Sequence, residues 1–458
     1  MHPERDNPLG IEPIGRLLRR FAIPSIIAML VSALYNIVDQ IFIGQSVGML
    51  GNAATNVAFP LSTICTALSL LFGLGAASNF NLEMGRGHRE EAGRYAGNGI
   101  LLLLSSGILM CVLVRVFLRP LMLLFGATPD VLDYSLTYTG ITSLGFPFLI
   151  LSTGGTSLIR ADGSPKFSMF CMLSGAVVNT VLDALFVFGF EWGIAGAAWA
   201  TVIGQVVSAA MVGYYFCRFK TVRLDRRCLR PSGRYALRIT SLGATGCFNQ
   251  LAMMVVQVVM NNSLTYYGSL SRYGREIPLA CAGIIAKVSM IFFSLIIGLS
   301  QGLQPIVGYN YGAKQYHRVR ETYLKSVVIG TLFGVAAFLC FQLFPRQIIS
   351  AFGPGSEEYF QFAERYFRVF LFFTFFNAIQ PISSNFFTSI GKAGQGIFLS
   401  LTRQILFLLP LLVLLPLAMG IDGILYAGPL ADFAAGVISA LLAWRELRRM
   451  ARLQVATA

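Results

Sequence analysis

Charge is what this sequence has least of. Asp, Glu, Lys and Arg together make up 12% of 458 residues, against about 25% in an average soluble domain. A chain so poor in charge and 55% apolar, with a mean hydropathy of +0.67, cannot solvate a globular surface. Histidine is scarcer still. The three present, His2, His88 and His317, sit in polar loops or the tail, so no metal-ligand cluster is expected. The eight cysteines form no C-x-x-C pair and lie mostly in apolar runs, where they read as small core hydrophobes. No short apolar stretch followed by a small-residue cleavage site opens the chain, so no cleaved signal peptide is expected. Alternating strands of about ten residues, the mark of a membrane barrel, are also missing.

What remains is a succession of long uncharged apolar stretches, the signature of membrane-spanning helices. Twelve spans are predicted, at 17–43, 55–82, 95–118, 134–158, 167–190, 193–217, 236–263, 279–309, 324–344, 359–388, 396–417 and 421–444. The net charge of +14 does not indicate nucleic-acid binding, because Lys and Arg fall mainly in loops on one side. They concentrate at 86–94, 160–166, 218–238, 314–325 and 445–452, all on the side of the N-terminus. The positive-inside rule then places both termini in the cytoplasm of a multi-pass protein of the cell (inner) membrane. The most basic loop, Arg218 to Arg238, lies at mid-chain and divides residues 1–217 from residues 239–458.

The two parts repeat. Gly73-Leu74-Gly75 and Gly298-Leu299-Ser300 close spans 2 and 8; Gly193-Ile194-Ala195-Gly196 and Gly420-Ile421-Asp422-Gly423 open spans 6 and 12. Arg160-Ala161-Asp162-Gly163 is paired with Ile390-Gly391-Lys392-Ala393. The expected fold is an all-α polytopic membrane protein with two pseudo-symmetric six-helix lobes. A parallel repeat of this kind carries its site between the halves, near the membrane midplane.

Ionisable groups within a span are costly and mark function. Of 21 acidic residues, Asp39, Asp183 and Asp432 lie well inside spans. Asn36 and Tyr35 share a helix face with Asp39, Asn179 lies one turn before Asp183, and Thr201 heads a polar stripe with Gln205 and Ser208. Two carboxylates in a low dielectric resist ionising together, so the pair suits uptake and release of a proton. The oxygens of Asn179 and Thr201 would equally suit Na+. In the second half, Met253, Met254, Gln257 and Asn261 form a stripe in span 7; Lys287, Ser294 and Gln301 follow in span 8; and Asn377 lies among the phenylalanines of span 10. With Asp432 they are candidates for a substrate cavity, since Met, Phe and amides suit a site that repacks around different ligands. Lys287 is the expected in-span cation.

These features resemble the multidrug and toxic compound extrusion (MATE) transporters of bacterial and archaeal type, over nearly the whole chain. The matching stretches are Asn36-Ile37-Val38-Asp39, Gly73 to Ala92, Arg160-Ala161-Asp162-Gly163, Asn179 to Asp183, and Gln301-Gly302-Leu303-Gln304-Pro305 running to Asn310-Tyr311-Gly312-Ala313. The resemblance implies two lobes around a central cavity and drug efflux in exchange for H+ or Na+. It also implies that Asp39, Asn179, Asp183 and Thr201 form a first-lobe cation site. One branch of the family carries a glutamate in span 7, where this sequence has only Gln257 and Asn261.

The expected activity is secondary antiport of organic, often cationic and amphipathic compounds by a monomer in the bilayer, with no cofactor beyond the coupling ion. A lipid-linked saccharide exporter of related fold is the alternative; such proteins carry a strongly basic cavity, and here only Lys287 is available. An enzyme is not expected, because the loops offer lone groups such as Glu83, Asp162 and Glu191 rather than a cluster. Nor does any filter-like loop or charged ring suggest a channel.

Overall fold

The computed structural model describes residues 7–457; His2 lies outside them. All regular structure among these residues is helical. Eleven unbroken helices are long and apolar enough to cross a membrane: span 1 (Ile14–Ser46), span 2 (Met49–Gly85), span 3 (Arg89–Val116), span 4 (Pro129–Ala161), span 5 (Pro165–Gly189), span 6 (Gly193–Phe216), span 7 (Gly233–Ser269), span 8 (Glu276–Gly312), span 9 (Tyr316–Leu343), span 11 (Ala393–Met419) and span 12 (Ile421–Val455). The expected tenth crossing is made by two helices, Glu357–Phe370 and Ile379–Ser389, with a 3-10 turn at Thr374–Phe376 between them. Span 4 carries the corresponding 3-10 turn at Ser143–Gly145, there without a full break. Several helices run past the lipid-length segments read from sequence. Span 12 continues to Thr457, so Arg445 to Arg452 are helical and solvated rather than looped.

Backbone conformation records the repeat. Gly48 and Gly274, Gly87 and Lys314, Gly126 and Gly353, Gly163 and Gly391, and Gly193 and Gly420 all adopt positive φ. Each pair is separated by 226 to 228 residues. Glycine is favoured there because it lacks the Cβ that makes left-handed backbone costly. The sequence alignment of Gly163 with Ala393 is therefore two residues out of register: its partner is Gly391.

The lobes join at the end of the bundle that carries the N-terminus. A Cβ on Gly298 would come within 2.5 Å of the Ile26 Cα, and one on Gly302 within 2.5 Å of the Ala22 Cα. Gly75 lies equally close to the Ile239 backbone, and Gly85 and Gly312 approach each other at the pseudo-two-fold axis. Gln304 adds a buried hydrogen bond to Ser78. Small residues thus let span 1 lie on span 8, and span 2 on spans 7 and 8, with backbones nearly touching. Towards the other end Asn36, Gln257 and Lys287 are exposed.

The basic linker is folded against the first lobe. Asp162 accepts hydrogen bonds from the Lys220 and Thr221 N–H groups, the Thr221 hydroxyl and the Tyr215 hydroxyl. Asn98 donates to the carbonyls of Cys228 and Arg230 and accepts from the Ser232 N–H.

Candidate cation site and central cleft

The first-lobe site is assembled by spans 1, 4, 5 and 6. Asp39 sits one turn beyond Tyr35 on the inward face of span 1 and is 9% exposed; Asp183 is 1% exposed. Asp183 is the last α-helical residue of span 5, which continues as a π-helix over Ala184–Gly189. Such a widened turn inside a helix frequently marks a functional site. The Asp39 and Asp183 carboxyl groups lie within hydrogen-bonding reach of each other. The Oδ1 atom of each is buried without a protein donor. Two ionised carboxylates cannot hydrogen-bond, so this arrangement requires a proton on one of them or a cation between them.

Asn179 and Thr201 complete the oxygen-rich wall. With the Asn179 amide turned so that both ends are satisfied, its nitrogen donates to Asp183 Oδ2 at 3.3 Å and its oxygen lies 3.3 Å from Thr201 Oγ1. Tyr35 faces both carboxyl groups and contacts Asn36. Asn36 itself is exposed, its amide donating to the Ser32 carbonyl at 2.7 Å. Tyr138 in span 4 was not foreseen. Its hydroxyl reaches Thr201 and faces Asp39, Asp183 and Tyr35. The only signal was a tyrosine amid small hydroxylated residues, Ser135, Thr137 and Thr139, and nothing local aims it at span 1. Ser208, on the same stripe as Thr201, bonds the Cys171 carbonyl and ties span 6 to span 5.

The second-lobe candidates do not form one cluster. Gln257 donates to Asn261 at 2.9 Å on an exposed face of span 7, with Met253, 42% exposed, one turn away. Lys287 is exposed, with no ion pair among the described residues. Gln301 faces Met29 across the seam. Asn377 is buried at the break in span 10.

Asp432 stands apart from the exposed set. It is 3% exposed and ion-paired with Arg403, which also lies over the Phe293 ring. It is therefore a paired carboxylate inside the second lobe, because the nearest charge to it is a guanidinium of span 11. Arg403 belongs to a π-helical segment, Thr402–Leu408. It shows that Lys287 is not the sole in-span cation, and its position within an apolar run was the available signal.

Two six-helix lobes, a close-packed seam between them at one end and a sealed carboxylate pair in one lobe define a multi-pass membrane transporter of two-lobed fold. The MatE family model matches residues 24–185 and 247–414, one stretch in each lobe, and the chain belongs to this family. It is similar to the multidrug export protein MepA of Staphylococcus aureus (strain MSSA476), 23% identical over 435 residues and covering 94% of each chain. The MepA protein of Staphylococcus haemolyticus (strain JCSC1435) is 23% identical over 438 residues, 95% of each chain. Among solved structures, the outward-facing conformation of a multidrug resistance MATE family transporter superposes with a TM-score of 0.90 at 21% identity, over 97% of this chain and 98% of that one. A transporter of the same superfamily from Pyrococcus furiosus, described as having a binding pocket of reverse polarity, gives a TM-score of 0.89 at 21% identity, over 97% and 98% of the two chains.

Proposed function

We propose that this protein is a secondary active multidrug efflux antiporter. It exports organic, often cationic and amphipathic compounds from the cell in exchange for an inward-moving ion. It works as a monomer in the cytoplasmic membrane, with both termini inside. The observation that carries this reading is the sealed Asp39–Asp183 pair, whose unsatisfied oxygens provide a site for a small cation. Binding the ion removes negative charge from a low-dielectric pocket and favours tighter packing of spans 1, 4, 5 and 6. A ligand shifts a conformational equilibrium only by its different affinity for the two states. The pair gives the ion such a difference, because release requires re-exposing a carboxylate to water. Movement of span 1, with Pro24 inside its helix, transmits the change to the seam.

Protons are the preferred coupling ion, because a carboxylate pair suffices for them; Na+ held by Asp39, Asn179, Asp183 and Thr201 is the other reading. The test is efflux of a fluorescent cationic dye from proteoliposomes, with pH and Na+ gradients imposed one at a time. Transport driven by either gradient supports antiport and names the ion. Failure of both, together with movement of a lipid-linked saccharide, would return the protein to the flippase alternative.

A further inference from the structure

The seam between the lobes has an outer face as well as an inner one. On the outside a groove of about 420 Å³ runs between span 1 and span 9, floored by Leu299 of span 8. Its walls follow helical stripes: Gly15, Leu18, Ala22, Ile23 and Ile26 on span 1, and Leu324, Val328, Ile329 and Phe333 on span 9. Spacings of three and four place each set on one helix face. Ile23, Leu324 and Val328 are 50%, 51% and 59% exposed, so no protein element covers them. At one end, and on the same two faces, stand Arg19 and Lys325.

Spans 1 and 9 run in the same direction, each starting from the end of the bundle that holds the N-terminus. Both cations therefore occupy the same level, with apolar wall beyond them. From Arg19 to Ile26 the helix rises about 10 Å, and from Lys325 to Phe333 about 12 Å, at 1.5 Å per residue. Those lengths fit within one leaflet, about 15 Å of a hydrocarbon core about 30 Å thick. The charges are not fully used by the protein. Lys325 pairs with Glu321 at 2.6 Å. The Arg19 Nε donates to the Gly15 carbonyl, and Arg19 has no carboxylate partner among the described residues.

We infer that this groove is a binding site for one anionic phospholipid of the leaflet on the N-terminal side. Its phosphate and headgroup charge are held by Arg19 and Lys325, and an acyl chain lies in the slot towards Phe333. Charge complementarity selects the occupant: Arg19 lacks a carboxylate partner and favours a phosphate, whereas a cationic amphiphile, or the choline ammonium of phosphatidylcholine, would bring a like charge to it, Lys325 being paired with Glu321. Because the walls come from both lobes, parting the seam would dismantle the site. The bound lipid therefore favours the arrangement seen here, and anionic lipid content becomes an input to the transport equilibrium whatever the cargo.

The test is native mass spectrometry of the full chain with equimolar phosphatidylglycerol and phosphatidylcholine. The wild type is expected to retain phosphatidylglycerol preferentially. Arg19→Gln/Lys325→Gln should lower its apparent affinity roughly tenfold or more, since each basic residue near the surface contributes measurably to anionic-lipid attraction. Val328→Trp, which keeps both cations and fills the slot, should also weaken it. Arg226→Gln/Arg227→Gln, on the exposed linker, should not. Thermal unfolding should show phosphatidylglycerol raising the wild-type midpoint and not that of the groove variants. The site is overturned by equal retention of the two lipids by wild type, by equal loss in the linker variant, or by unchanged retention in both groove variants. Loss of bound cationic dye with lipid retention unchanged would assign the groove to substrate instead and overturn it as well.

Discussion

Gln304 of span 8 donates a 2.7 Å hydrogen bond to Ser78 of span 2, with both groups buried at the seam. It is a polar tie between the lobes at a place where helix backbones nearly touch. Leaving one buried partner unsatisfied costs about 1–3 kcal/mol. Gln304→Leu should therefore shift the lobe equilibrium away from this state by about tenfold, without unfolding either lobe. Spin labels at Gln45 and Tyr266, near the far ends of spans 1 and 7, would report it as a new population of altered distance. An unchanged distribution would mean the glycine contacts alone hold the seam.

The carboxylate pair makes the sharpest functional prediction. Asp39→Asn and Asp183→Asn should each abolish gradient-driven efflux while insertion and thermal stability stay near wild type. Asn179→Ala and Thr201→Ala should be milder, reducing rates several-fold. Near wild-type efflux by the double Asp→Asn variant under an imposed gradient would make the pair structural.

Tyr138 offers an independent check on the same site. Tyr138→Phe removes one hydroxyl from the wall and leaves the ring packing in place. Losing its hydrogen bond to the neutral Thr201 hydroxyl costs about 0.5–1.5 kcal/mol, so the pH or Na+ dependence of transport should move while maximal dye binding does not. A rate profile superimposable on wild type would place Tyr138 outside the coupling site.

For the second lobe, stability is the readout. Arg403→Leu leaves Asp432 buried without its partner, a loss of about 3–5 kcal/mol for a broken buried pair. Arg403→Leu/Asp432→Leu should recover most of the melting temperature, since apolar replacement of a buried pair is often neutral. If the double variant is stable yet transports poorly, the pair acts on cargo or on lobe movement.

Orientation can be read directly. A single cysteine at Lys220, in the linker, should be labelled by an impermeant reagent only from the cytoplasmic side, and one at Gly355 only from outside. Labelling of Lys220 from outside would invert the assignment.

Much of the fold was legible because lipid imposes one rule throughout: a span must be apolar and long enough. The first-lobe pair was legible for the same reason, since Asp39 and Asp183 are conspicuous where charge is costly. Less visible were features that depend on contact between distant spans. Tyr138 looks like any aromatic residue until spans 4 and 6 are packed together. The partnership of Asp432 with Arg403 rests on the side-by-side placement of spans 11 and 12. Two of the π-helical segments, one following Asp183 directly and one containing Arg403, have no sequence mark of the kind that proline gives a kink. The repeat lay between these cases. Matching by residue type misplaced Gly391 by two positions, whereas positive φ located it at once, since Lys314 can occupy the position that Gly87 fills in the first lobe.

The linker is usually thought of as slack between moving parts, but here it is not slack. Asn98 grips Arg230 and Ser232, Tyr235 bonds Glu91, and Arg238 bonds Tyr95, all on the first lobe. The chain thus passes into span 7 while still fastened to the other side. Rocking of the lobes cannot be absorbed by a loose joint at the lobe boundary. It must be taken up as elastic bending along span 7 itself, which packs on Leu71 at Gly243 and still meets Leu70 and Leu74 at Gly246. Span 7 is in mechanical terms a flexure built in at both ends, its base held on the first lobe and its far half sunk in the second-lobe core through Val256, Met260 and Leu264.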